Sequence, residues 1–337
     1  MRTILRATML LIGALLGVAT AAAQPAAPLD EAHARALVEA VVRVQAEALP
    51  DARSSETLGR SRHGSGIVID ARGRVLTIGY LVIEAQQVRL TTSAGRTVPA
   101  RVAGYDHASG FALLEPLAPL DVEPIALGSS AALRVNDIVM TLPFGGREAA
   151  GLARLIIKRP FTGSWEYLLD EALFVAPPTD SWAGAALIDR DLRLVGVGSL
   201  LVGDVDPEGD EDELPGNLFV PIDLLKPVLA DLIERGKRKG APRPWMGLAT
   251  VEFRGHLIVM RVSPDGPAER AGVRAGDLLV AVAGTAVQSQ AQLYRAVWGL
   301  GAAGVEVPLT LVRPSGAVEV TLKSIDRAAH FREPPRQ

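Results

Sequence analysis

No cysteine occurs in the 337 residues, so disulfides are excluded. Aromatic residues make up only 4% of the chain, and a core must therefore be packed mainly with aliphatic side chains. No strong excess of charge exists either. The net charge of −3 gives no electrostatic case for nucleic acid binding. Long apolar runs are missing beyond the N-terminus, and the one there, Met9 to Val18, is too short for a comfortable membrane span. What is present is 48% hydrophobic and 22% charged residues, in a chain long enough for two or three domains. That describes a soluble globular protein with ample core.

The first 23 residues read as a signal peptide. Arg2 and Arg6 precede the apolar run, and Ala21-Ala22-Ala23 offers an A-x-A cleavage site before Gln24. An uncleaved amphipathic anchor is the alternative. Removal of this segment takes away two arginines and no acids, and leaves no transmembrane span. Residues 24–48 begin rich in Pro and Ala. They continue into a helical pattern (Ala34, Leu37, Val38) and end on a first strand, Ala40 to Val44. Residues 49–65 are polar and read as a mobile loop.

From 66 to about 226 short apolar or alternating runs are separated by Gly, Asp, Asn or Pro. They include Gly66–Ile69, Arg74–Ile78, Gln87–Thr92, Thr97–Tyr105, Phe111–Leu114, Asp137–Leu142, Ala172–Ala176, Ala185–Ile188 and Leu194–Leu201. Short strands at this spacing indicate a barrel or sandwich. A helix is expected from Pro221 through about Glu234. The basic, Pro/Gly-containing stretch 235–244 reads as a linker, 245–326 as a second module, and 327–337 as a flexible tail.

Three motifs carry chemistry. Gly64-Ser65-Gly66-Ile67-Val68-Ile69-Asp70 with Leu76-Thr77-Ile78-Gly79-Tyr80-Leu81-Val82 resembles the G-S-G-h-h-h-D and L-T-N-x-H-V-V segments of the HtrA/Deg trypsin-like serine proteases. Ala108-Ser109-Gly110-Phe111-Ala112-Leu113-Leu114 resembles T-D-L-A-L-L, and Asp180 to Leu187 resembles P-G-N-S-G-G-P-L. In this alignment Tyr80, Gly110 and Ala183 stand at the family's histidine, aspartate and serine. A serine nucleophile needs an adjacent base, and the base needs a carboxylate to orient it. Alanine has no nucleophilic atom, glycine orients nothing, and a tyrosine with a pKa near 10 is a poor base at neutral pH. Loss of a whole triad costs on the order of 10⁶ in kcat. The oxyanion loop also differs, with Ser181, Trp182 and Ala185-Ala186 in place of the family's Gly, Asn and Gly-Pro. The bulky Trp182 indole is expected to fill substrate space. Pro177-Pro178 removes two backbone donors from the strand before it. A displaced His107/Ser181 pair is the competing route to activity; otherwise His107 is a surface loop residue and Ser181 a turn residue. The other histidines, His33, His63, His256 and His330, offer no such pairing.

Ala268 to Leu279 matches the P-A-x-x-A-G-L-x-x-G-D-x-I signature of the PDZ domains attached to these proteases, and the helix Ser289–Trp298 follows at the expected place. The resemblance thus implies a mainly β fold, a trypsin-like double β-barrel followed by a PDZ domain, in a bacterial periplasm. PDZ domains bind extended peptides or C-termini by strand addition, with backbone amides holding the terminal carboxylate. The corresponding loop is Trp245-Met246-Gly247-Leu248, in which Gly247 allows close backbone approach. Val297 is either a pocket wall or core. Trp245 and Met246 have an alternative role in sealing the domain junction. Implied partners are peptides or protein C-termini and, in one reading, active members of the same family. Trimers are a family expectation only. No cofactor is expected. The run Asp204 to Glu213 has seven acids in ten residues, of which Asp204, Asp206, Glu208 and Gly209 mimic half of a calcium loop. Pro215 occupies the place of the bidentate glutamate, so no metal is assigned there. The reading is a non-catalytic, peptide-binding pseudoprotease in envelope quality control. The alternatives are relocated catalysis and a regulatory subunit of active relatives.

Overall fold

A computed structural model describes residues 31–209 and 213–332. The expected signal peptide (1–23) and residues 333–337 lie outside the described residues. A short helix α1 (Glu31–Glu39) leads into the strands β1 (Val41–Ala48), β2 (Ser61–Val68), β3 (Val75–Ile78), β4 (Ala85–Thr91), β5 (Thr97–Asp106) and β6 (Phe111–Pro116). These close into a barrel of order β1-β2-β3-β6-β5-β4. The strands β7 (Ile138–Leu142), β8 (Gly151–Gly163), β9 (Tyr167–Ala176), β10 (Ala186–Ile188), β11 (Leu194–Val202) and β12 (Gly216–Pro221) form a second barrel. Its order, β10-β11-β12-β9-β8-β7, repeats the first barrel's pattern around the ring. Alternation makes this possible. In β1 the buried residues Val42, Val44, Ala46 and Ala48 take turns with exposed Arg43, Gln45 and Glu47, as a strand with one face in a core requires. The cores are aliphatic, with Phe111, Phe174 and Phe219 among the few large buried rings.

Helix α2 (Ser55–Leu58) lies before β2, and α3 (Leu229–Arg235) packs against β5 of the first barrel, where a Cβ on Gly104 would lie 2.7 Å from Leu232 O. The remainder is a smaller sheet domain. It contains β13 (Pro244–Trp245), β14 (Leu248–Phe253), β15 (His256–Val262), β16 (Leu278–Val282), β17 (Thr285–Ala286), β18 (Glu306–Arg313), β19 (Gly316–Lys323) and β20 (Ile325–Asp326), with helices α4 (Pro267–Arg270) and α5 (Gln290–Gly299). The sheet order β14-β15-β16-β18-β19 leaves β14 at an edge. Ser289 caps α5, its hydroxyl accepting from Gln292 N at 3.2 Å. No described helix is long and apolar enough to cross a membrane.

Several sequence expectations are corrected. Residues 49–65 are not one mobile loop, since α2 and half of β2 lie there. Arg62 is buried and donates to the carbonyls of Gly59, Tyr80 and Ile83 and to Ser54 Oγ. A side chain with that many partners pins the segment, which its polar composition hides. The helix expected over 221–234 is split into a 3-10 turn, Ile222–Leu224, and α3, with Pro227 between them. Strands β8 and β12 fall outside the runs read from sequence; β8 carries Arg154, Lys158, Arg159 and Pro160, which blur its alternation. The tail is not frayed over its first residues. Arg327–His330 form a 3-10 turn, His330 is buried against the Trp245 ring at 4.5 Å, and Arg332 N donates to Glu84 Oε1 at 2.9 Å.

Candidate functional site

The seam between the two barrels gathers the three positions matched to a triad. Tyr80 sits in the 3-10 turn Gly79–Leu81 that follows β3. Gly79 is needed there because a Cβ would lie 2.4 Å from the Tyr105 ring. Its amide donates to Gly110 O at 2.7 Å, which joins the Tyr80 turn to the β5–β6 turn. That turn is built by Asp106, whose carboxylate accepts from Ser109 N and from Ser109 Oγ at 2.6 Å, and whose carbonyl accepts from Gly110 N. Gly110 has φ +79, a conformation that glycine adopts without strain.

Ala183 belongs to the second barrel, just before β10, and its carbonyl accepts from Ser65 N of β2 at 2.8 Å. Gly64 and Gly184 permit this crossing. A Cβ on Gly64 would stand 2.6 Å from Ala183 O, and one on Gly184 2.0 Å from Ser65 O. Tyr80 also bridges the seam. Its hydroxyl donates to Ser199 O of β11 at 2.7 Å. Burial pushes this phenol's pKa further up, away from any role as a base near neutrality. Gly110 and Ala183 present no polar side-chain atom.

The displaced pair is not assembled. His107 lies between the Tyr105 ring at 4.3 Å and the Phe331 ring at 6.1 Å, and its buried Nδ1 has no partner. It is packed rather than a free surface loop residue. Burial and the Arg327 charge push it down to about 3, so the imidazole is neutral. Ser181 is exposed, with its amide on Thr179 Oγ1, and no hydrogen bond joins it to His107. Beyond the double proline, Thr179 N donates to the buried Asn217 Oδ1 at 2.7 Å.

The second site is the loop Trp245–Leu248. Met246, Gly247 and Leu248 aim three successive amides at one point, which Gly247 makes possible by taking φ +81. That point is occupied by Glu166, from the hairpin between β8 and β9. Its Oε1 accepts from Gly247 N at 2.7 Å and Leu248 N at 3.0 Å, and its Oε2 from Met246 N at 2.9 Å. Burial raises the Glu166 carboxyl to about 7, against the opposing pull of the three amides and Arg327. Val297 is buried in the domain's apolar cluster together with Leu293, Tyr294 and Met246. Leu168 of the same hairpin is part of that cluster. Trp245 and Met246 are both buried at the junction.

Glu166 has no motif around it in the sequence. Its partners lie 80 residues away, and the only local signal is an acid set among Trp165, Tyr167, Leu168 and Leu169. Next to the junction lies a cavity of about 630 Å³ whose lining includes Arg238, Arg243 and Arg327. Arg238 is paired with Asp106 at 2.7 Å and Arg243 lies over the Trp298 ring at 4.1 Å. In the acidic run Asp204 Oδ1 accepts from Asp206 N at 3.0 Å. Among the described residues no group of acids and histidines is arranged to hold a metal.

A trypsin-like peptidase domain model matches residues 64–197, and a PDZ domain model matches 258–313. Serine protease PepD of Mycobacterium tuberculosis is 30% identical over 309 residues, covering 84% of this chain and 66% of that protein. Periplasmic serine endoprotease DegP of Salmonella typhimurium is 27% identical over 278 residues, covering 77% of this chain and 56% of DegP. The chain thus spans little more than half the length of DegP. Among solved structures, HtrA-type protease AlgW with decapeptide has a TM-score of 0.52 at 18% identity, covering 90% of this chain and 99% of that one, a likeness of fold.

Proposed function

Because the chain is an HtrA/DegP-family trypsin-like peptidase domain followed by one PDZ domain, we propose that it is a pseudoprotease that binds peptides or protein C-termini through the PDZ loop Trp245–Leu248. The periplasm is the proposed location, by analogy with relatives named as periplasmic, and envelope protein quality control the proposed setting. One observation carries the non-catalytic half of this reading. At the barrel seam Tyr80 donates its hydroxyl to Ser199 O, and Gly110 and Ala183 bring no polar side-chain atom. The binding half is supported by the three converging amides, which already hold a carboxylate in the geometry a chain terminus needs.

The test is titration of the mature chain with hydrophobic peptides bearing free or amidated C-termini. Free termini are expected to bind, and amidated ones at least tenfold more weakly. Gly247→Val, which forces a β-branched residue to φ +81, is expected to weaken binding. Equal affinity for both termini would remove the carboxylate mechanism.

A further inference from the structure

The strongest unexplained feature of the molecule is a carboxylate of its own where a ligand's should be. Glu166 takes all three amides of the loop, and the contact is larger than one side chain. Glu166 sits at φ +60 in the turn just before β9, and Leu168, two residues on in β9, enters the apolar cluster with Val297 and Leu293. Along α5 the hairpin is fixed further. Tyr294 Oη donates to Gly163 O at 2.8 Å, Thr162 Oγ1 to Gln290 Oε1 at 3.0 Å, and Arg295 pairs with Asp170 at 2.6 Å. A C-terminal ligand presents a carboxylate and an apolar side chain from its last residue. The hairpin divides the same two groups between Glu166 and Leu168. It does not pair with β14, whose outer edge stays free of strand partners among the described residues and carries exposed Val251 and Phe253.

We propose that the β8–β9 hairpin is an internal ligand of the PDZ domain, with Glu166 closing the carboxylate loop and Leu168 its side-chain pocket, so that a free C-terminus enters only by displacing it. The proposal rests on the reading of the loop as a C-terminus site. A tethered carboxylate competes at an effective concentration on the order of millimolar. A weak ligand is therefore excluded, and one that also adds a strand to the β14 edge gains what the hairpin lacks. Displacement also frees a hairpin whose strand β9 pairs with β8 and β12 inside the second barrel. Occupancy of the PDZ domain is thereby tied to the barrel that carries Trp182 and Ala183.

The experiment compares the mature wild-type chain with Glu166→Ala and with the isosteric Glu166→Gln, which keeps the shape should alanine disturb folding. Two quantities are read: affinity for a hydrophobic peptide with a free C-terminus, and hydrogen exchange at the amides of Met246, Gly247 and Leu248 without peptide. Removing a closed state favoured about tenfold raises apparent affinity about tenfold. The expected result is that gain in Glu166→Ala, a smaller gain in Glu166→Gln, and faster exchange of the three amides in both. Unchanged exchange with tight peptide binding by the wild type overturns the internal ligand and leaves C-terminus binding intact. Equal affinities in all three proteins overturn it as well. Faster exchange in the variants with no peptide binding by any of them supports the closing contact and defeats the C-terminus reading instead.

Discussion

Tyr80 shows how completely a single position changes the barrel seam. Its phenol reaches across to Ser199 O. The combined change Tyr80→His, Gly110→Asp and Ala183→Ser is therefore expected not to build a working site. The imidazole leaves Ser199 O without its Tyr80 partner. The aspartate is placed at φ +79 with its Cβ 3.4 Å from Tyr167 Oη, and Tyr167 already donates to Ser109 O at 2.6 Å. A misplacement of about 1 Å costs roughly 10²-fold in rate. The triple variant is expected to cleave casein no faster than the buffer control; efficient cleavage would show that the pocket around Trp182 is intact. These three identities are legible in sequence because flanking motifs fix the alignment. The tyrosine's hydrogen bonds are not, since Ser199 lies 119 residues away.

At the scale of elements, the hairpin between β8 and β9 is the part whose state depends on pH. The Glu166 carboxyl is raised by burial to about 7, above its ordinary value near 4.3. A docked hairpin thus keeps a proton that a released one gives up between those values. The docked state binds more protons there, so docking weakens as pH rises from about 4.3 to 7 and levels off beyond. Among the facing groups burial raises the Tyr294 phenol, and His107 and His330 are pushed down to about 3 and about 4, below most of that window. Exchange of the Met246–Leu248 amides, corrected for intrinsic rates, is expected to be faster at pH 7.5 than at pH 5.5, and Glu166→Gln is expected to abolish the difference. A pH-independent wild type would contradict this. The amide loop itself is readable from Trp245-Met246-Gly247-Leu248, because glycine at that place is a local backbone requirement. The occupant is not readable, because nothing near Glu166 encodes its destination.

The whole molecule is two barrels of one strand order and a sheet domain held against them by Arg53, Glu84 and Glu166, with the connecting segment tied down by the Asp106–Arg238 pair. Its class was readable from short alternating runs and turn residues, which are local. The ordering of Ser61–Gly64 and of Arg327–His330 was not, because Arg62 and His330 are held by partners from distant segments. The central claim, a peptidase fold without peptidase chemistry, is tested most directly by incubating the purified protein with a fluorophosphonate serine probe alongside casein. No labelling and no casein loss are expected. Labelling that disappears in Ser181→Ala would contradict it and place a working nucleophile two residues before Ala183.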